Sequence, residues 1–314
     1  MIGRRQMLVA LAAGWAGMAH ARPGDRPAAR ALDGLWTHSA YTELERPKEL
    51  SHLVLTPAEA EAYEAPRRAL NGMPPSKPGD VGQAESEFTE RGDRLARIRG
   101  EIRSSWIIDP PDGRIPYTAA AIASLGLDKP PVERFDNPED RSNNERCLAS
   151  FAAGAPMLPG PDTNYFKFVQ TPDTLAILSE KYHDVRIVRL TAGSRPRNLP
   201  PSWMGDSVGR WEGDTLVVET EGLRPGVTGR GQRLFESGAT RVIERLTRTG
   251  PAEILYAFRV EDADLFTRPW RGELVFRPAQ GQLFEYACHE GNYAVASVLS
   301  AARQADAAAA AGRP

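Results

Sequence analysis

The sequence has few of the residues and motifs that most directly identify a metal-binding or nucleotide-binding protein. Its 314 residues include two cysteines and five histidines. It has no His-Glu-x-x-His, P-loop, EF-hand or Cys-x-x-Cys pattern. These patterns place metal ligands, phosphate-binding amides or redox thiols at fixed spacings. The sequence therefore gives no support for those classes of site, and we predict neither a cofactor nor a site metal.

Charge of one sign is not concentrated anywhere in the chain. The 39 Lys and Arg and 41 Asp and Glu residues give a net charge of −2, and the arginines are dispersed among acidic residues. Nucleic-acid-binding proteins instead carry a basic patch or stripe. After the leader, no apolar run approaches the ~20 residues of a membrane-spanning helix. We therefore predict no nucleic-acid partner and no membrane span in the mature chain.

The N-terminus has the pattern of an export signal. Arg4-Arg5 form a charged segment, Met7 to Met18 form a short apolar run, and Ala19-His20-Ala21 matches a small-x-small cleavage site. We expect residues 1–21 to be removed and the mature protein to be periplasmic or secreted in a bacterium. The paired arginines partly match a twin-arginine signal, and an ordinary Sec signal that holds two arginines is the alternative.

Cys147 and Cys288 are predicted to form a disulfide. An even pair of cysteines favours a bridge in an oxidising compartment. The alternative is a cysteine that serves as a nucleophile or a metal ligand.

The strand and turn pattern predicts a mainly β protein. Alternating runs around short turns indicate four hairpins, with strands at 166–170 and 175–179, 207–211 and 215–220, 241–248 and 254–260, and 273–277 and 282–287. Successive hairpins favour an antiparallel β-barrel of the lipocalin-like kind, or a sandwich. A barrel also removes the exposed edges of an open sheet.

Helix signals lie on both sides of the predicted strands. Thr56-Pro57-Ala58-Glu59 is a capping box, which predicts a helix from Pro57 to Leu70. Apolar periodicity predicts a second helix over Asn292 to Ala302. We divide the chain into an export signal (1–21), a helical and irregular region packed on the barrel (22–163), the barrel with its C-terminal helix (164–303) and a flexible tail (304–314).

Several sequence blocks carry a resemblance to other proteins. The main blocks are Trp203 to Ser207, Gly209 to Thr220 and Phe284 to Tyr293, with shorter ones at 45–47, 109–114, 145–147 and 268–270. Together they resemble a widespread group of secreted bacterial proteins. The resemblance covers most of the mature chain and implies a shared fold and an exported bacterial setting. It assigns no catalytic residue.

Histidines and carboxylates are the candidates for acid–base chemistry, since imidazole titrates near neutral pH. His183 precedes a predicted strand in which it shares one face with Val185 and Ile187, so it either points into the barrel or caps a turn. His289 follows Cys288, and the disulfide would fix its position. The carboxylate candidates are Glu244 and Glu285, which share strand faces with apolar residues, and Glu290, which equally suits the first turn of the last helix.

Two interpretations of the acids remain open. Burial of Glu244 or Glu285 in a barrel without a cation would raise the carboxyl pKa and suit a general acid. Pairing with Arg186, Arg245 or Arg268 would instead keep the carboxylate charged. Asp206-Ser207 and Asp214 are interpreted as turn residues rather than as part of a catalytic triad.

These features predict an exported enzyme that acts on a small, partly apolar organic molecule, as a lyase, isomerase or hydrolase. His183 and His289 would transfer protons with Glu285, Glu244 or Glu290. Arg186 or Arg268 would hold a substrate carboxylate or oxyanion. Four aromatic residues are predicted to bind the substrate: Trp203, Trp270, Tyr286 and Tyr165. The alternatives are a lipocalin-like periplasmic carrier and an envelope protein without a ligand.

Overall fold

The computed structural model describes residues 28–71, 92–128, 134–149, 154–160, 164–191, 199–229 and 234–312. The predicted export signal lies outside these residues. The described part contains three α-helices, α1 (Pro57–Asn71), α2 (Ala119–Leu125) and α3 (Ala294–Ala310). No helix in it combines the length and hydropathy needed to cross a bilayer.

Fifteen strands are present in the same ranges. They are β1 (Gly34–Thr37), β2 (Val54–Leu55), β3 (Arg97–Ile98), β4 (Glu101–Arg103), β5 (Ile107–Asp109), β6 (Tyr165–Gln170), β7 (Thr174–Ser179), β8 (Val185–Arg189), β9 (Asp206–Glu212), β10 (Thr215–Glu221), β11 (Gly226–Gly229), β12 (Leu234–Glu236), β13 (Arg241–Gly250), β14 (Glu253–Glu261) and β15 (Trp270–Pro278).

Nine of these strands close into a β-barrel, which confirms the predicted fold class. The order around the barrel is β1-β6-β7-β8-β9-β10-β13-β14-β15, and β15 pairs with β1 to complete the ring. An odd number of strands cannot alternate in direction all the way round, so one neighbouring pair must be parallel. That pair is β8 and β9.

Three of the four predicted hairpins are confirmed: β6–β7, β9–β10 and β13–β14. The fourth is wrong. β15 forms as expected, but residues 282–287 form no strand and leave the barrel. The edge of β15 that they would have paired with is occupied by β1, with Trp36 opposite Pro278 and Thr37 opposite Arg277.

The capping box at the start of α1 is present. Thr56 N donates to Glu59 Oε2 at 2.8 Å, and Glu59 N donates to Thr56 Oγ1 at 3.3 Å. The helix packs beside a small sheet of order β2-β4-β3. This unit has its own apolar core, which includes Tyr41, Leu55, Ala60, Tyr63, Leu95 and Ile102.

Side chains alternate between the barrel interior and the outside, as a two-residue repeat requires. In β6, Phe166 and Phe168 are buried, whereas Lys167 and Val169 are exposed. In β8 the alternation is as predicted, and the inward face is the one that carries Arg186, not the one shared by Val185 and Ile187. Arg186 and Val188 point inward, and Val185 and Ile187 are exposed. The reason is electrostatic: Arg186 has a buried acidic partner on β13.

Two elements extend beyond the predicted segments. β1 belongs to the barrel although it comes from the region 22–163, and α3 continues to Ala310, beyond the predicted end at Ala302. The division into domains itself stays a prediction.

Candidate functional site

A buried ion pair crosses the barrel interior. Arg186 Nη1 and Nη2 donate to Glu244 Oε2 and Oε1 at 2.6 and 2.8 Å. The side chains are 1% and 0% exposed. The Tyr256 hydroxyl donates to Glu244 Oε1 at 2.6 Å and accepts from Met157 N at 2.9 Å. Of the two interpretations of Glu244, the structure therefore supports burial with a cation.

Protonation in this network is fixed by burial and by the paired charges. Burial and the adjacent Glu244 carboxylate raise the pKa of Tyr256 well above its ordinary value, so the phenol keeps its proton and donates. Burial acts to lower the pKa of Arg186, but the charge of Glu244 and its hydrogen bonds outweigh it and raise the pKa. A bidentate pair of this kind holds both side chains in one geometry. Its arrangement suits positioning better than proton exchange.

His38 is the second polar group in the interior. It is 1% exposed and lies one residue after β1. Its ring centroid is 5.0 Å from that of Phe166 and 5.1 Å from that of Phe276. Burial lowers its pKa to about 3, against smaller opposing effects from its own backbone and the Asn164 side chain. The Asn164 side chain lies close enough to oppose the fall in pKa, but by distance and angle neither ring nitrogen makes a hydrogen bond to a described residue.

An irregular segment, residues 154–159, reaches the same interior, and we call it the inner strap. All six of its residues are buried although they form no helix or strand. Ala155, Met157 and Leu158 belong to the apolar core of the barrel. The Met157 amide contacts Tyr256, as described above. Just beyond the strap, Gly160 and Asn164 are joined by two hydrogen bonds of 3.2 and 2.6 Å. The strap is thus linked to both polar groups of the interior.

The predicted disulfide between Cys147 and Cys288 is present. It joins the loop before the strap to the segment that follows β15. Nearby, the Tyr182 and Tyr286 rings lie 5.1 Å apart, and the Tyr182 hydroxyl donates to Asn144 O at 2.7 Å. We call this surface, made of residues 144–147, 180–183 and 284–289, the disulfide face. It lies outside the barrel.

The disulfide face has an unusual backbone. Of the four non-glycine residues with positive φ in the described chain, three lie here: Cys147, Tyr182 and His183, with φ of 54°, 60° and 54°. Residues other than glycine rarely adopt this left-handed backbone conformation, and those that do cluster at functional sites. The strain is held by the disulfide and by the tyrosine contacts.

Four of the five predicted acid–base residues lie on or next to this exposed face. His183, His289, Glu285 and Glu290 are all exposed, and only Glu244 is in the interior. His183 is the last residue of a short 3₁₀ turn and does not point into the barrel. Glu285 has no strand face to share, because the fourth hairpin does not form. The structure therefore separates the histidines from Glu244.

The predicted binding residues are likewise distributed. Arg186 and Trp270 are buried in the interior, where Trp270 contacts Phe258 and Phe266 at centroid distances of 5.6 and 6.0 Å. Arg268 is exposed and pairs with Asp109. The remaining three are partly buried: Tyr165 on β6, Tyr286 on the disulfide face, and Trp203 under the Arg224 guanidinium.

One Gly-x-Ser-x-Gly pattern is present, from Gly205 to Gly209. A nucleophilic serine in this pattern sits on a sharp strand-to-helix turn. Ser207 instead lies within β9, buried, with its hydroxyl 2.8 Å from that of Thr220. Asp206 and Ser207 are therefore strand residues and not turn residues as predicted, whereas Asp214 does lie in the β9–β10 turn.

Three titratable residues were missed in the sequence. His38 follows the short run Leu35-Trp36-Thr37, and extending the alternation by one residue would have placed it on the face of Trp36. Tyr256 alternates with Phe258 on β14. Glu236 lies on β12, and burial raises its pKa to about 8, a value that no local pattern indicates.

In the described chain, no three His, Cys, Asp or Glu side chains are grouped as metal ligands. Comparison of the chain with protein-family models, curated proteins and solved structures gave no match.

Proposed function

We propose that this protein is an exported carrier that binds a small, partly apolar organic molecule inside its β-barrel. A barrel of about this strand number is just wide enough to be filled by side chains or to hold one small ligand. Binding sites for such molecules combine apolar and aromatic walls with a few polar groups. The interior of this barrel has that composition.

The observation that carries the proposal is the environment of His38. A buried polar group without a hydrogen bond costs about 1–3 kcal/mol, so proteins seldom retain one without a use for it. Here both nitrogens of one imidazole lack a partner among the described residues, and the ring lies between Phe166 and Phe276. A bound molecule would supply the missing partner.

The exported setting is supported by two observations. The leader has the export pattern described above, and the disulfide is of the kind that persists in oxidising compartments. The resemblance to secreted bacterial proteins agrees with both. Fractionation of a bacterial host that expresses the full chain tests this part: export predicts mature protein in the periplasm or medium, with its N-terminus at Arg22.

The carrier proposal is tested with the protein purified from its host. Native mass spectrometry should show a bound small molecule, and the neutral fluorophore N-phenyl-1-naphthylamine should bind saturably with a stoichiometry near one. Phe276→Leu, in the interior, should weaken the fluorophore several-fold because it removes an aromatic wall. Val169→Ala, on the outer face of β6, is the matched control. Equal effects of the two substitutions, or no saturable binding, would refute the proposal.

An enzyme at the disulfide face is the second candidate. The left-handed backbone at Cys147, Tyr182 and His183 favours it, because strained residues cluster at active sites. His183 and His289 would be its acid–base groups, with Glu285 or Glu290 beside them. The carrier has the stronger support, since these side chains are exposed to water, where their electrostatic effects are weak.

A panel of p-nitrophenyl esters tests the hydrolase form of this second candidate. If the face is catalytic, His289→Ala and His183→Ala should each lower turnover by at least about a hundredfold, the usual contribution of a general acid or base. His52→Ala removes another exposed histidine, in the region of α1, and should have no effect. Turnover that is absent from the wild type, or equal in all three variants, would count against hydrolysis at this face.

A further inference from the structure

We infer that His38 is the residue that recognises the ligand, and that the ligand is a neutral aromatic molecule with a hydroxyl or amide group. This inference rests on the proposed carrier function and specifies the chemistry of the same interior.

The hydrogen-bonding groups of His38 favour a hydroxyl or an amide on the ligand. A neutral imidazole presents one N–H donor and one bare nitrogen acceptor. By distance and angle neither is hydrogen-bonded to a described residue, although the Asn164 side chain lies nearby, so a ligand can use the donor or the acceptor. A hydroxyl or an amide can use either of them, because each of these groups both donates and accepts. An ether can use only the N–H, and a hydrocarbon can use neither.

The charges of the interior favour a neutral ligand. The interior holds the charged groups Arg186 and Glu244, which are paired with each other through two hydrogen bonds, while Arg186 Nε has no partner among the described residues. A ligand carboxylate or ammonium placed beside His38 would lose its hydration without gaining either of them as a counter-ion. Burying an unpaired charge costs far more than burying a neutral polar group. The site therefore favours a neutral molecule.

The aromatic side chains around His38 favour a planar ligand. Phe166 and Phe276 flank the imidazole at centroid distances near 5 Å, and Phe166 also contacts Phe276 edge-on at 5.5 Å. Aromatic rings pack well against other rings in such offset and edge-to-face arrangements. A planar ring that carries the polar group would fit these walls better than a flexible chain.

A ligand also needs a route to the buried His38 side chain. His38 is 1% exposed, so a ligand reaches it only if a neighbouring segment moves. The inner strap is the suitable segment, because it is irregular and its far end is tied to Asn164, the residue whose side chain acts on the His38 ring. Displacing the strap would expose the imidazole without breaking the ring of strands.

Four small probes of similar size test the inference: phenol, anisole, toluene and benzoate, each titrated by calorimetry at neutral pH. Phenol should bind about tenfold more tightly than toluene, because one hydrogen bond contributes about this factor. Anisole should lie between them and benzoate should be weakest. In His38→Phe the preference for phenol over toluene should fall to about parity.

The variants and the outcomes separate the inference from the carrier proposal. His38→Phe keeps an aromatic ring, and its circular dichroism and unfolding midpoint show whether the fold is retained. If it does not fold, His38→Gln replaces it, and the amide should keep part of the phenol preference. His52→Phe is the control and should behave as the wild type.

Two results would overturn the inference while the carrier proposal stands: equal binding of phenol and toluene by the wild type, or an unchanged preference in His38→Phe. If neither the four probes nor N-phenyl-1-naphthylamine binds at all, the carrier proposal fails together with it.

Discussion

Arg186 and Glu244 place a full pair of charges in the buried interior of the barrel, where their side chains are 1% and 0% exposed. Desolvation of two ions is costly, and their attraction repays it only when the geometry is good and the remaining hydrogen bonds are made. Here the carboxylate accepts from Arg186 twice and from Tyr256 once. The pair is therefore more sensitive to loss of one partner than to replacement of both.

Glu244→Gln should destabilise the protein by about 3–5 kcal/mol, because it leaves Arg186 buried without a counter-charge. The double variant Arg186→Met/Glu244→Leu should recover most of that loss. Urea unfolding of the single and double variants measures both effects. The exposed pair Arg245 and Glu212, 2.9 Å apart, is the control, and its double-mutant cycle should give no more than about 1 kcal/mol. A loss from Glu244→Gln as small as this would show that the buried pair is unimportant for stability.

His38 should make the protein sensitive to acid. Its pKa falls from 6.5 to about 3 on folding, so the unfolded chain binds the proton first. The free energy of unfolding should therefore decrease as the pH falls below about 6.5, by about 2 kcal/mol at pH 5, since each pKa unit corresponds to about 1.4 kcal/mol. His38→Phe should remove this contribution.

The measurement is the difference between wild type and His38→Phe in urea unfolding at pH 7.5 and pH 5. Taking the difference matters, because Glu236 acts in the opposite direction. Its raised pKa makes the folded state bind the extra proton, so that contribution falls as the pH rises from about 4.5 towards 8. A pH-independent difference between the two proteins would contradict the prediction.

Among the elements, the inner strap is the one that should unfold locally while the barrel stays folded. It has no helix or strand hydrogen bonds of its own, and segments of this kind open locally with less free energy than the strands around them. Besides its apolar contacts with the core, the strap is joined to the interior by the hydrogen bond from Met157 N to the Tyr256 hydroxyl.

Tyr256→Phe should speed amide hydrogen exchange at Met157 by about fivefold, because it removes an acceptor worth about 1 kcal/mol. Exchange mass spectrometry of a peptide that spans residues 154–160 measures this, while peptides from β13 should change less. Tyr63→Phe removes a hydroxyl on α1 that donates to Glu43, and it serves as the control. Equal exchange at Met157 in the wild type and Tyr256→Phe would show that this bond does not hold the strap.

The disulfide should also contribute to the stability of the folded protein. Its two cysteines are 141 positions apart. Cross-linking a loop of that length stabilises by about 4–5 kcal/mol in the chain-entropy model, although measured values are often smaller. The double variant Cys147→Ser/Cys288→Ser should lower the unfolding midpoint markedly, and dithiothreitol should lower that of the wild type by the same amount but leave the variant unchanged. Insensitivity of the wild type to reduction would contradict this.

At the scale of the whole molecule, the sequence was informative where the signal is local. The three tight hairpins and the capping box of α1 depend on neighbouring residues, and each forms as predicted. The barrel followed from the number of hairpins. The cysteine pair was also predictable, because the chain has just two cysteines and its N-terminus has the sequence pattern of an export signal.

The errors concern contacts between distant residues. The sequence left open whether the face of β8 that carries Val185 and Ile187 points into the barrel, because alternation alone does not say which face is inward. The partner that draws Arg186 inward, Glu244, lies 58 residues away, and no periodicity within β8 encodes it. The prediction of the fourth hairpin was wrong for the same reason, because β1, which lies near the start of the described chain, pairs with the edge of β15. His38 was overlooked because its role depends on Phe166 and Phe276.

The way the ring of strands closes has a mechanical consequence. The parallel pair β8–β9 and the closing pair β1–β15 each comprise two residue pairs, while every other neighbouring pair of strands in the ring is longer. These two short seams divide the barrel into a shell of four strands (β1, β6, β7, β8) and a shell of five. Arg186 lies on the first and Glu244 on the second. Under tension or heat the two groups of strands should separate first at one of these short pairings and rotate about the other. The buried ion pair between Arg186 and Glu244 joins the two groups and should oppose this separation.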